Sequence, residues 1–205
     1  MCVNNCYSQE DIVPLPQISK KGTLSLEEVL NTRKSVRDYK SQPLTPEDLS
    51  NILWAAYGEN KWRKTTPSAG ALYPLYVYAL VGEVENLEKG VYLYNPDSHS
   101  IKRVSKKDIR AQLSNAALSQ GCVREAPLVL VICADYKITT VKYGERGMRY
   151  VIMEVGFVGQ NIYLMAQSLG LGTVAVGAFS DKAVKDALGI KEEPLLIMPV
   201  GKPRK

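Results

Sequence analysis

The stretch TPSAGALYPLYVYALV, from Thr66 to Val81, places small loop-forming residues directly in front of a strand. Its first half contains Pro67 and Gly70, which are typical of loops. Its second half is apolar and aromatic, which predicts a strand over residues 75–82 that is buried on both faces. The run Ser68-Ala69-Gly70-Ala71 leaves the backbone almost bare of side chains. Such a run indicates a place where another group approaches the main chain closely.

The rest of the chain alternates irregularly between helix and strand signals. Ser25 and Glu28 form a capping box that begins a helix ending near Arg33, and Thr45 begins a second helix that Gly58 ends. Further signals predict a hairpin over residues 90–104, helices over residues 105–117, 145–169 and 180–188, and strands over residues 127–134, 173–177 and 195–200. We therefore expect one α+β or α/β domain over residues 25–205, with a sheet core flanked by helices, after an irregular segment over residues 1–24.

The composition excludes several classes of protein. The 205 residues include 26 Lys and Arg against 21 Asp and Glu, a net charge of +5, and the basic residues are spread out. A nucleic-acid binder usually has a dense basic stripe, so this mild charge suits an anionic small molecule better. The four cysteines suit a reduced, cytoplasmic protein, which is the expectation here. No window is apolar for long enough to cross a membrane, and no signal peptide is expected before the domain.

The cysteines and the single histidine offer little catalytic or metal chemistry. Cys133 lies in an apolar strand and is expected to be buried, while Cys2 and Cys6 lack the two further ligands that a zinc site needs. His99 falls in the predicted hairpin, where a surface position is expected, and no triad or phosphate loop motif occurs. No metal site is expected, and an enzyme of this kind would take its chemistry from a cofactor.

Two basic segments at opposite ends of the domain are the main binding candidates. The first is Arg33-Lys34-Ser35-Val36-Arg37 at the end of the first helix, and the second is Val200-Gly201-Lys202-Pro203-Arg204 after the last strand. Each could simply be solvated, one as a helix end and the other as a polar tail. If they converge, their Arg forks, Lys charge and Ser hydroxyl would suit a phosphate group.

An ordered series of motifs resembles a known family. The two basic segments flank Pro67 to Pro74, Lys142-Tyr143-Gly144 with Arg149-Tyr150, the long apolar helix, and Gly170-Leu171-Gly172 leading into Val176-Gly177-Ala178. This order resembles the FMN-dependent nitroreductase superfamily, and most of all its SagB-type dehydrogenases, a branch that includes azoline oxidases of peptide natural products. The resemblance runs from about Ser25 to the C-terminus. Each motif is weak alone, but five of them in order are specific.

The resemblance implies an α+β homodimer with a central, mostly antiparallel sheet and FMN bound between the subunits. Arg33, Lys34 and Ser35 match the family's first FMN segment, in which Arg33 and Ser35 would hold phosphate or ribityl, and Arg37 would lie near the pyrimidine edge. The loop contributed by the other subunit against the flavin ring would contain Pro67, Ser68, Ala69, Gly70 and Ala71. The backbone of Val176, Gly177 and Ala178 would face the ring near N5, and Lys202 and Arg204 would contact the phosphate.

Three functions follow from this resemblance. The first is ping-pong hydride transfer from NAD(P)H through flavin N5 to a small acceptor such as a nitroaromatic or a quinone. The second is an azoline dehydrogenase acting on a modified peptide, for which the resemblance implicates Lys142 and Tyr143 in removing the substrate proton. That pair could instead belong to a loop with an exposed Lys and a half-buried Tyr. The third is a flavin-binding or flavin-remodelling protein without turnover.

Overall fold

A seven-stranded sheet forms the centre of the computed structural model, which describes residues 11–204. In chain order the strands are β1 (Ile12–Pro14), β2 (Leu75–Val81), β3 (Gly90–Asn95), β4 (Ser100–Ser105), β5 (Leu128–Ala134), β6 (Gly172–Thr173) and β7 (Glu193–Gly201). Across the sheet their order is β1-β4-β3-β2-β5-β7-β6, and every neighbouring pair is antiparallel. The expected α+β class with a mostly antiparallel central sheet is confirmed.

The strand that follows the opening loop lies next to the most buried strand of the sheet. β2 pairs with β5 over its whole length, from Leu75 opposite Ala134 to Val81 opposite Leu128, and all seven residues of β5 are buried. Because successive side chains of a strand point to opposite faces, these two apolar runs fill two separate cores. This explains why both strands are continuously apolar instead of alternating between apolar and polar residues.

Helices cover both faces of the sheet. They are α1 (Leu26–Thr32), α2 (Pro46–Tyr57), α3 (Arg110–Ala116), α4 (Gly121–Glu125), α5 (Tyr136–Tyr143), α6 (Arg146–Ser168) and α7 (Asp181–Leu188). α2 and α6 pack on one face of the sheet, and α3, α4 and α7 pack on the other. The predicted capping box of α1 is confirmed: the Glu28 amide donates to Ser25 Oγ and the Ser25 amide donates to Glu28 Oε2.

The long helix α6 divides its apolar residues between the core and the surface. Its inner face contributes buried residues to the core: Val151, Val155, Val158 and Ile162. Its outer face leaves four large apolar side chains about half exposed: Met148, Ile152, Met153 and Phe157. The wide apolar face predicted from the sequence is therefore two faces, and only one of them is buried within the described chain.

Several elements differ from the sequence prediction. Part of the segment predicted to be irregular forms β1, which pairs with β4 at the edge of the sheet. The helix predicted over residues 105–117 begins later, because Ser105 ends β4 and α3 starts only at Arg110. Helices α4 and α5 were not predicted, and the domain boundary at residue 25 stays a prediction. Cys2 and Cys6 lie outside the described residues.

His99 is not the surface residue that the sequence predicts. Its ring is partly buried, with Nε2 2.8 Å from Ser50 Oγ and 3.2 Å from the Pro16 carbonyl oxygen, and Nδ1 2.9 Å from Tyr94 Oη. Burial lowers its pKa below the ordinary value. His99 therefore joins the N-terminal segment, α2 and the β3–β4 hairpin, which is a structural role.

Candidate functional site

The two basic segments converge at the β6 edge of the sheet. The Val36 amide donates to the Thr173 carbonyl in β6 at 2.8 Å, and the Lys40 amide donates to the Lys202 carbonyl at 2.8 Å. The Arg204 amide also donates to the carbonyl of Asp38 at 3.1 Å. Residues 33–37 and 202–204 therefore share one surface although about 165 residues separate them.

Tyr163 of α6 connects three parts of this surface. Its hydroxyl lies 2.9 Å from Ser35 Oγ and accepts a hydrogen bond from the Ala175 amide at 2.8 Å, and its ring lies 4.9 Å from the Arg33 guanidinium carbon. Since an amide N–H can only donate, the Tyr163 proton is available for Ser35 Oγ. When Tyr163 donates that proton to Ser35 Oγ, the Ser35 proton is free to donate to a ligand. Sequence reasoning missed Tyr163, because one tyrosine in an apolar helix carries no separate signal.

Most of the cations of this surface carry no internal counter-charge. Among residues 11–204, no ion pair involves Arg33, Lys34, Arg37 or Lys202. Arg204 differs, because its guanidinium lies 3.1 Å from Asp38 Oδ1 and donates to the Tyr39 carbonyl at 3.0 Å. Unpaired cations grouped at one edge create the positive potential that attracts an anion.

The turn over residues 176–178 exposes the main chain of only two of its three residues to a ligand. Val176 is buried, and both its amide and its carbonyl are bonded to Ile197 of β7, at 2.9 and 3.0 Å. Its amide is therefore not available to a ligand. Gly177 and Ala178 are exposed, and a side chain at Gly177 would meet nothing within 4 Å. Open backbone remains at these two positions.

The small-residue loop lies against the pair Lys142 and Tyr143. Ala69–Ala71 form one 3-10 turn in which Gly70 has a φ of +61°. A Cβ at Gly70 would lie 2.7 Å from Tyr143 Oη and 2.9 Å from Lys142 Nζ. The pair does not lie in a free loop, because it ends α5, and the Tyr143 ring packs edge-on against Tyr150 at 5.2 Å. The absent side chain of Gly70 therefore makes room for a lysine and a tyrosine of the same chain.

A buried carboxyl group lies behind this loop. Glu154 of α6 is 2% exposed, and its Oε1 accepts a hydrogen bond from Tyr57 Oη at 2.8 Å. It also bonds to the Ser68 hydroxyl, which in turn accepts from the Tyr73 amide at 3.0 Å. Burial raises the pKa of Glu154, and the bonds from Ser68 and Tyr57 act in the opposite direction. The only advance signal was an acidic residue within an apolar helix face.

The loop over residues 67–71 and the cationic surface contact α6 at different positions along the helix axis. Tyr163 holds the Arg33–Arg37 segment and Glu154 holds the loop, and nine residues of helix correspond to roughly 14 Å along its axis. Within the described part of the chain, no hydrogen bond or ion pair joins residues 67–71 to residues 33–37. The site residues predicted from the sequence therefore form two groups, with the exposed face of α6 beside the loop.

Neither of two cavities in the described chain includes the cationic surface formed by residues 33–37 and 202–204. A cavity of about 270 Å³ lies between the loop and α6, lined by Ser68, Glu154, Met153 and Phe157 among others. A larger one of about 910 Å³ lies between residues 18–23, α2 and the end of α6, away from both groups. In residues 11–204 no cluster of three or more metal-ligating side chains occurs, and no helix has the length and apolar character to span a bilayer.

Comparison with known proteins gives concordant results. The model of the Nitroreductase family matches residues 30–202. A nitroreductase-family protein of Methanocaldococcus jannaschii is 54% identical over 192 residues, which cover 93% of this chain and 96% of that protein. The microcin B17-processing protein McbC of Escherichia coli is 30% identical over 149 residues, which cover 68% of this chain and 54% of McbC. A nitroreductase-type structure from Ralstonia eutropha superposes with a TM-score of 0.82 at 26% identity, covering 95% of this chain and 90% of that one.

Proposed function

Because the chain belongs to the nitroreductase family, we propose that it is an FMN-dependent oxidoreductase that takes electrons from NAD(P)H and passes them to a small acceptor. The observation that carries this proposal is the convergence of Arg33–Arg37 with Lys202 and Arg204 beside the Tyr163 hydroxyl. When bound, FMN would supply the hydride chemistry, first accepting from NAD(P)H and then donating to a nitroaromatic or quinone-like acceptor in the same site.

The residues at the β6 edge fit the phosphate end of FMN. The Arg33 guanidinium is held over the Tyr163 ring, the Ser35 hydroxyl lies 2.9 Å from Tyr163 Oη, and Lys202 has no ion pair among residues 11–204. Arg offers a fork and Lys a point charge to phosphate oxygens. Arg204 would exchange its contact with Asp38 for the phosphate, since both side chains are largely exposed and their ion pair is weak.

Arg37 fits the electrostatic requirement of flavin reduction. It is exposed and without an ion pair in the described chain, and it follows Ser35 by two residues. A cation placed near the pyrimidine edge of the ring would stabilise the negative charge that reduction brings to that edge. The open backbone of Gly177 and Ala178 would then leave space beside N5 for a flat donor or acceptor.

A homodimer would complete the site. The four half-exposed apolar side chains on the outer face of α6 form a surface that suits burial against a second copy. The loop over residues 67–71 borders that face and is not bonded to the cationic surface of its own chain. We propose that this loop covers the flavin held by the partner subunit. A cytoplasmic location is also proposed, on the cysteine pattern of the sequence.

Oxidation of an azoline ring in a modified peptide is the second candidate. The observation in its favour is the position of Lys142 Nζ and Tyr143 Oη over Gly70, at the loop proposed to cover the flavin. Either group could remove a proton from a substrate lying on the ring. The match to the microcin B17-processing protein McbC points the same way.

Anaerobic reduction of the purified protein tests the proposal. FMN should bind to the protein, bleach when NAD(P)H is added, and regain its colour when menadione or nitrofurazone is added. A protein that does not bind FMN, or whose bound FMN is not reduced by NADH or NADPH, would contradict it. A Lys142→Ala variant separates the two candidates. It should keep NAD(P)H-to-quinone turnover in either case, and should lose activity on a thiazoline peptide only if the second candidate is correct.

A further inference from the structure

Glu154 is a buried acid that the proposed reaction does not use. It lies on α6 at 2% exposure, behind the loop over residues 67–71 and within the wall of the 270 Å³ cavity. A carboxyl group at such a position destabilises the fold unless donors compensate for its lost hydration. The question is therefore what its donors hold in place.

Two hydroxyl groups relay hydrogen bonds from the main chain to this carboxyl group. The Leu75 amide donates to Tyr57 Oη at 3.3 Å, and Tyr57 Oη donates to Glu154 Oε1 at 2.8 Å. The Tyr73 amide donates to Ser68 Oγ at 3.0 Å, and the Ser68 hydroxyl bonds to Glu154. An amide N–H only donates and an ionised carboxylate only accepts, so each hydroxyl receives from the backbone and sends its own proton to Glu154 when that group is ionised. The direction of both relays is thus fixed in the ionised state.

The segment between these relays is strained. Gly70, Ala71 and Tyr73 have φ values of 61°, 54° and 52°, so three of four consecutive residues are left-handed. Residues other than glycine adopt this conformation only where the surroundings over-determine it. The relays involve Ser68 before the strained segment, and the amides of Tyr73 at its end and Leu75 just after it. One carboxyl group therefore ties down both ends of the turn.

We propose that Glu154 is the positioning residue of this turn. Before FMN binds, it already holds residues 68–73 in the strained conformation that would contact the flavin. The inference rests on the proposed function for the flavin contact. The restraint on the turn, in contrast, is a property of the protein without FMN. Pre-organisation of this kind strengthens binding because the ordering cost is met during folding.

The substitution Glu154→Gln is the sharpest test, because it keeps the shape of the side chain and changes its charge and its hydrogen-bond polarity. A carboxylate accepts both hydroxyl protons, whereas the glutamine amide presents one acceptor oxygen and one NH₂ donor. The NH₂ group can only donate, so the hydroxyl that faces it can no longer donate to residue 154, and both hydroxyls lose a charge-assisted bond to a carboxylate. Ser68→Ala removes one relay from its other end and alters only a half-buried loop position.

The experiment combines amide exchange without FMN and FMN titration. Hydrogen exchange of a peptide covering residues 66–75, measured by mass spectrometry on the FMN-free protein, should be about tenfold faster in Glu154→Gln and in Ser68→Ala. FMN affinity, measured by quenching of flavin fluorescence, should fall by about tenfold in each. The double variant should lose less than the sum of the two single losses, because both changes act on the bond between Ser68 and residue 154. Tyr92→Phe, which removes a buried hydroxyl bonded to the Glu88 carbonyl, is the matched control and should change neither quantity.

Each outcome decides the inference. Unchanged exchange over residues 66–75 in Glu154→Gln, with or without a lower melting temperature, would overturn it, and so would additive losses in the double variant. Faster exchange with unchanged FMN affinity would overturn the positioning role. If Glu154→Gln does not fold, Ser68→Ala alone decides by the same two measurements. Wild-type protein that does not bind FMN would refute the proposed function, whereas the exchange results would still decide whether Glu154 holds the turn.

Discussion

Substitution of Gly70 by alanine should weaken FMN binding without preventing folding. The added Cβ would lie 2.7 Å from Tyr143 Oη and 2.9 Å from Lys142 Nζ, at a backbone φ of +61°. Both contacts are with the far ends of flexible side chains, which can move aside. The chief cost is therefore the left-handed backbone, which for an L-residue amounts to about 1–2 kcal/mol.

This cost would appear mainly in binding. Gly70 is exposed, so the turn of the FMN-free variant can relax away from the strained conformation. Binding would then have to restore it, and a cost of about 1–2 kcal/mol corresponds to roughly a 5- to 30-fold loss of FMN affinity. If none of the strain relaxes, the same energy lowers the melting temperature instead, by roughly 2–8 °C for a chain of this size.

Fluorescence titration of FMN and a thermal melt measure the two effects separately. Gly189→Ala is the matched control, since Gly189 has a φ of +69° and a Cβ there would meet nothing within 4 Å. It closes α7, away from both groups of site residues. The control should lose a comparable stability and bind FMN normally. Wild-type affinity in Gly70→Ala without a lower melting temperature, or an equal loss of affinity in Gly189→Ala, would refute the proposed role of the loop.

Four further predictions address other parts of the molecule. Tyr163→Phe removes the hydroxyl that bonds to Ser35 and accepts from the Ala175 amide, so FMN affinity should fall about tenfold in the same titration. Arg37→Gln should lower the two-electron reduction potential of the bound flavin by about 30 mV per 1.4 kcal/mol of lost charge stabilisation, measured by anaerobic dye equilibration; an unchanged potential would place the cation elsewhere. The pKa of His99 is lowered in the folded state. At pH values near and below its ordinary pKa of about 6.5, the unfolded chain therefore binds more protons than the folded protein does. Stability should therefore be full above that pH and decline as the pH falls; His99→Asn, which tolerates the positive φ, should flatten a plot of melting temperature against pH between 7 and 5. Phe157→Glu should convert the proposed dimer to a monomer in light scattering and release FMN, and a variant that remains dimeric would exclude this face of α6 as the interface.

Local signals made much of the fold predictable. The caps at Ser25, Thr45 and Ser180 depend on hydrogen bonds within three residues, and all three begin helices as expected. The buried strand β5 and the long helix α6 were predictable because their apolar runs have the length of one element type. In contrast, β1 has only three residues and exists through its pairing with β4, so its own sequence carried no strand signal.

Burial and partner choice were not predictable from local sequence. His99 was expected at the surface, but its ring bonds to groups 5, 49 and 83 positions away along the chain. The division of α6 into a core face and an exposed face likewise depends on where the sheet and α2 pack against it. These are long-range contacts, and a pattern of neighbouring residues does not contain them.

Local patterns in the sequence were sufficient to predict most of the longer helices and strands, the family, and the residues that carry charge and small side chains around the opening loop. The tertiary structure decided how those residues are grouped. It brought Arg33–Arg37 to Lys202 and Arg204 through backbone pairing, placed Lys142 and Tyr143 over Gly70, and set Glu154 behind Ser68. The physical reason is the same in each case: distances between side chains far apart in sequence are fixed by packing on the sheet, which no local propensity encodes.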